Sequence, residues 1–153
     1  MQVMSPYKIE TLILAFLIFP SFLPDGVAED ASNSFTFVQI SDLHICGEED
    51  AENFNLDYDP VATFKSVLGE IEPIGDFIVN TGDIVLYGDS ATIEKGLEWY
   101  SLYTSLLSTN ITVYNSIGNH DVIGVYNLLA DPSNPLYGKG MFEHFLGRTF
   151  YSF

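Results

Sequence analysis

The sequence predicts an α/β domain built on a parallel sheet. Three observations predict it: β-forming runs alternate with runs of helical period, each β-forming run leads into a polar loop, and 47% of the 153 residues are hydrophobic, enough for a core. Residues 35–40, Phe-Thr-Phe-Val-Gln-Ile, read as the first strand, ending at Ser41. Asp59 and Pro60 then form a cap and first-turn pair. Val61, Phe64, Val67, Leu68 and Ile71 recur at helical spacing until Pro73 stops the helix. Residues 76–80 are the second strand. Residues 90–108 read as a long helix, with Ile93, Leu97, Tyr100 and Leu107 along one face and Trp99, Tyr103 and Leu106 beside them. Residues 111–116 are the third strand. This order of strand, helix, strand, helix, strand implies a parallel sheet whose ligands sit at the carboxyl ends of the strands.

Charge narrows the function. With 21 acidic against 5 basic residues the formal net charge is −16, which excludes a nucleic-acid-binding surface and argues against an anionic membrane. Divalent cations are the natural counter-ions. Glu48, Glu49, Asp50 and Glu52, followed by Asp57 and Asp59, read as a solvated loop without a catalytic role. Residues 1–28 read as a signal peptide or N-terminal anchor: Lys8 precedes the apolar run at 12–19, and Gly26 and Ala28 suit cleavage. Pro20 and Pro24 break that run short of the roughly 20 residues a membrane span needs. The expectation is therefore an exported, secreted or extracytoplasmic protein, membrane-anchored if the segment stays uncleaved. Residues 29–34 are a linker, and 35–153 the domain. Cys46 is the sole cysteine, so no internal disulfide forms, and Asn110-Ile111-Thr112 is a glycosylation sequon.

The chemistry collects at the strand ends. Asp42-Leu43-His44 follows the first strand, Gly82-Asp83 the second, and Gly118-Asn119-His120-Asp121 the third. On a chain still extended, Asp42 and His44 point the same way and reach one ion. Carboxylate and imidazole donors together suit zinc, manganese or iron better than calcium. Gly82 lets the backbone turn under the site and present Asp83, Asn119 offers an amide oxygen, and His120 can carry a proton. Taken singly, each block is a common turn or a chance pair. In this order, each directly after an apolar strand, they resemble the calcineurin-like metallophosphoesterase superfamily, whose pattern is Asp-x-His, Gly-Asp, then Gly-Asn-His-Asp or Gly-Asn-His-Glu.

That resemblance implies the N-terminal half of a metallophosphoesterase-type β sandwich flanked by helices. It implies two divalent or trivalent transition-metal ions, of manganese, iron or zinc. Asp42 and His44 would hold the first, Asp83 would bridge both, Asn119 would hold the second, and His120 would be the general acid. Asp121 is expected to orient the His120 ring and favour its charged form. The substrate would be a phosphate mono- or diester. The superfamily's second half carries an isolated histidine and a Gly-His-x-His block, and neither is present. The remaining histidine, His144, is expected to pack or face solvent on a short helix. The chain is thus expected to be an N-terminal fragment with one apolar sheet face open, completed by the missing C-terminal half. A truncated, non-catalytic binding or assembly module is the alternative. Leu86 stands three residues after Asp83, where purple acid phosphatases have tyrosine, with Tyr87 one place late. Cys46 reads as a small residue packed under the loop. A dinucleotide-binding domain is disfavoured, because no Gly-x-Gly-x-x-Gly follows the first strand.

Overall fold

The computed structural model describes residues 35–107 and 110–149. The expected signal segment and linker, residues 1–34, lie outside the described residues. Three strands, β1 (Phe37–Ile40), β2 (Phe77–Asn80) and β3 (Thr112–Asn115), form a parallel sheet in the order β1-β2-β3. Phe37 pairs with Phe77 and Phe77 with Thr112, so the three strands end level, at Ile40, Asn80 and Asn115. All three expected strands therefore form, each trimmed by one or two residues at its ends.

Helices α1 (Glu48–Asn53), α2 (Pro60–Ile71), α3 (Ile93–Leu106) and α4 (Gly140–Leu146) complete the fold. In α2 the Asp59 side chain accepts hydrogen bonds from the N–H groups of Val61 and Ala62, and Pro60 fills the first turn, where no donor is missed. Phe64, Leu68 and Ile71 form its buried stripe. Helix α3 starts later than residue 90, because Gly88–Ser90 makes a separate 3-10 turn and Thr92 caps the helix through the Lys95 N–H. Its buried face runs through Gly96, Trp99, Tyr100 and Tyr103 rather than through the expected Ile93 and Leu97, which are only partly buried. His144 lies exposed on α4, as expected.

The acidic run corrects the loop expectation. It forms α1, and Asp50 is 7% exposed. Its carboxylate accepts hydrogen bonds from Lys95 Nζ at 2.9 Å and Trp99 Nε1 at 2.8 Å, both on α3. A paired charge tolerates burial that an unpaired one would not.

Side chains alternate across the sheet, and the two faces differ. Ile78, Asn80 and Asn115 are buried on the inner face, where Val38, Ile40 and Val113 pack against the core that holds Phe64, Leu68, Tyr100 and Tyr103. Phe64 stacks on Tyr103, with centroids 5.8 Å apart. On the outer face Phe37 is 51% exposed and stacks on Phe77 at 5.6 Å, and Tyr114 meets Phe77 edge-on at 5.5 Å. Phe35, 66% exposed, extends this row. Phe35 and Phe37 leave part of the sheet's outer apolar face exposed.

Candidate metal centre

The loops after the three strands meet at one edge. After β1 the chain does not stay extended: Asp42 and His44 both adopt left-handed backbone angles, φ 57° and 48°. This corrects the expected reason for their common direction. Backbone pairing with the second loop holds them, since Asp42 N–H donates to the Gly82 carbonyl at 3.0 Å and His44 N–H to that of Asp83 at 3.1 Å. Parallel pairing then resumes between Ile45 and Val85. The outcome is the one the spacing suggested: Asp42 Oδ1 lies 3.9 Å from His44 Nε2.

Two glycines bring the second and third loops into contact. Gly82 sits at φ 116°, and a Cβ there would stand 2.6 Å from the Gly118 nitrogen. A Cβ on Gly118 would stand 2.2 Å from Asp83 Oδ1. Only bare backbone fits this approach. Asp83, itself at φ 54°, accepts a hydrogen bond through Oδ1 from the His120 N–H at 2.9 Å. The His120 and His44 rings stand 5.5 Å apart, and Asn119 is exposed between Gly118 and His120. The site is half open to solvent, with the His44 side chain 22% exposed and that of Asp42 64%.

Beneath it lies a buried polar scaffold. Asn80 Nδ2 donates to Tyr103 Oη and Asn115 Oδ1, each at 3.3 Å, and Asn80 Oδ1 receives the Gly82 N–H at 3.1 Å. Asp121, fully buried, accepts hydrogen bonds from the N–H groups of Gly118 (2.7 Å), Asp83 (2.9 Å), Ile84 (2.7 Å) and Val85 (3.3 Å). This corrects the role expected for Asp121. Its carboxylate is occupied by backbone and ties the second and third loops together, whereas the group facing the His120 ring is Asp89. Asp89 Oδ2 lies 3.4 Å from His120 Nδ1, on a side chain from the Gly88–Ser90 turn that is nearly buried. That is ion-pair distance without hydrogen-bond alignment, and His120 Nδ1 and Asp89 Oδ1 both lack a hydrogen-bond partner among the described residues. No spacing rule marks Asp89, six places after Asp83 and outside every recognised block.

Burial, and then the neighbouring His120, hold the His44 imidazole below its ordinary pKa, against the opposing pull of Asp83 and Asp42. A neutral imidazole is the form that binds a metal. For Asp121, burial raises the carboxyl pKa, and the hydrogen bonds from Gly118, Ile84 and Val85 pull it back. Among the described residues no three His, Cys, Asp or Glu side chains form a ready-made cation site. The pair Asp42–His44 nevertheless fits one ion, because ligands lie roughly 2 Å from a metal and so stand within about 4 Å of one another. His44 Nδ1 is a further buried nitrogen without a hydrogen-bond partner among the described residues. The donors, a carboxylate and a neutral imidazole with Asp83 beside them, match transition-metal chemistry. Cys46 is not among them: it is buried, 1% exposed, as expected of a residue packed under the loop.

No curated protein matches the chain. The family model for calcineurin-like phosphoesterases matches residues 35–151, which include every loop of this edge. The chain therefore belongs to the calcineurin-like phosphoesterase family, whose members as a class carry out metal-dependent hydrolysis of phosphate esters.

Proposed function

We propose that the strand-end loops are part of a dinuclear centre that hydrolyses phosphate mono- or diesters. The observation that carries the reading is the Asp42–His44 pair, 3.9 Å apart, beside an Asp83 whose carboxylate is fixed by the His120 N–H. In this reading Asp42 and His44 hold one ion, Asn119 the other, and Asp83 both, with manganese, iron or zinc as the metal. When bound, the ions supply Lewis acidity toward the phosphoryl group and an activated water as nucleophile. The remaining work falls to the chain's own groups. His120 donates a proton to the leaving oxygen, and the Asp89 carboxylate facing Nδ1 orients the ring. Asp121 keeps the second and third loops in register.

The donor set is partial, since His144 is the one histidine beyond this edge and lies exposed. A second polypeptide segment bearing the absent histidines would complete the centre and cover the outer face of the sheet. Residues 1–28 would direct export ahead of a domain at 35–153. That exposed face also favours a second reading, a non-catalytic binding or assembly module. Release of p-nitrophenolate from its phosphate ester separates the two. The isolated chain is expected near background, and a supplied second half should restore metal-dependent turnover, which His120→Ala then lowers by about 10²–10⁴-fold. Restored turnover that is indifferent to His120→Ala would overturn the acid role, and no turnover in any combination would leave the module.

A further inference from the structure

We infer that Tyr87 and Phe54 form an aromatic wall that receives the leaving group, so that the site favours phosphate esters whose leaving group carries a flat, uncharged ring. The inference rests on the hydrolase reading above and names its substrate class. Tyr87 has φ 45° and ψ 40°, a left-handed conformation that is a genuine outlier for a bulky side chain. Such backbone persists where its surroundings enforce it, and it clusters at functional sites. Here Val85 and Leu86 are buried on one side, and on the other the Tyr87 carbonyl accepts the Ser90 N–H at 3.0 Å.

The strain aims the ring at the site. Tyr87 meets His120 edge-on at 4.9 Å and lies 6.3 Å from the His44 ring. Phe54 stands 5.4 Å from Tyr87, at the end of α1, which the Asp50 bonds to Lys95 and Trp99 fasten to α3. Neither ring is spent on the core: Tyr87 is 36% exposed and Phe54 47%. Two partly exposed rings beside the proposed general acid present an apolar surface where the leaving group must sit. An aromatic ring packs there at the 4.5–7 Å separation such pairs prefer.

Charge limits what that ring can carry. The same segment lines an acidic pocket of about 400 Å³ with Glu48, Glu52, Asp57 and Asp59, beside Tyr58. Neither Tyr87 nor Phe54 lines that pocket, so its carboxylates act on a leaving group at the wall only through their field, which disfavours further phosphates relative to a neutral aryl or nucleoside group.

The test is calorimetric titration of the zinc-loaded full chain with phenylphosphonate and with methylphosphonate, which differ only in the ring. Phenylphosphonate should bind about three- to tenfold more tightly. Tyr87→Leu and Phe54→Leu should bring the two affinities within about twofold while leaving methylphosphonate unchanged, and Tyr87→Phe should keep the discrimination. Equal affinities in the native chain, or an equal loss for both probes in Phe54→Leu, would overturn the wall and leave the hydrolase reading standing. Binding of neither probe would also overturn the wall, and the hydrolase reading then stands or falls on p-nitrophenyl phosphate turnover with the second half supplied. If Tyr87→Leu disturbs folding, Phe54→Leu and Tyr87→Phe still decide.

Discussion

The two faces of the sheet solve opposite problems. On the inner face Asn80 and Asn115 are buried with Tyr103, and just beyond the strands Asp121 collects four backbone N–H groups. The Asp121 contacts hold two loops of the candidate site, and Asn80 Oδ1 anchors one of them through the Gly82 N–H. On the outer face Phe35, Phe37, Phe77 and Tyr114 contact one another in a row, with Phe35 and Phe37 largely exposed. The stability of this domain resides on the inner side. The inner side has polar groups too costly to leave unpaired, and it fixes the loops; the outer side has apolar surface whose removal from water requires something to cover it.

Replacing Asp121 by alanine is the strongest challenge to that contrast. Two buried and two part-buried donors lose their acceptor, and the loss should be about 3–5 kcal/mol, read from the urea midpoint. A loss below about 1 kcal/mol would mean that the scaffold is not what holds the loops. Asp50→Ala should cost less, about 2–3 kcal/mol, because Lys95 is part exposed and keeps Glu98 at 3.1 Å while Trp99 loses its acceptor.

A smaller effect appears with pH. Burial, and then the neighbouring Asp50, raise the Cys46 thiol from 9.0 to about 11. Because the folded value lies above the unfolded one, the contribution to stability is fully present below about pH 9 and is lost as pH rises toward about 11. Denaturation midpoints should fall across that window, and Cys46→Ala should flatten the fall. A steeper fall in the variant would contradict the burial argument. Smallest of all, Phe37→Thr on the outer face should change stability by less than about 0.5 kcal/mol, yet reduce self-association in sedimentation. A large destabilisation would show that the outer face is already packed.

Much of this was legible in the sequence, and the failures have physical causes. Strand, helix, strand, helix, strand could be read because β-forming runs and helical spacing follow in clean succession, and Asp59-Pro60 and Pro73 bracket α2. The three strand-end blocks could be read because each follows an apolar run. Asp50 reads as solvated in the sequence because its partners, Lys95 and Trp99, lie more than forty positions away. The sequence pairs Asp121 with the ring of its neighbour His120, but the turn directs its carboxylate inward onto backbone donors, which no residue pattern encodes. Asp89 takes the place facing His120 only because Gly88–Ser90 forms its own turn before α3. The common direction of Asp42 and His44 was foreseen from strand alternation, whereas left-handed backbone at both residues produces it.

On the proposed reading, the inner side's scaffold exists to present metal ligands. Calorimetric titration of the chain with manganese or zinc, set beside Asp83→Asn, Asp42→Asn and Phe37→Thr, tests it most directly. One weakly bound ion is expected, lost in Asp83→Asn and Asp42→Asn and unchanged in Phe37→Thr. No bound metal, or the same affinity in all four proteins, would contradict it.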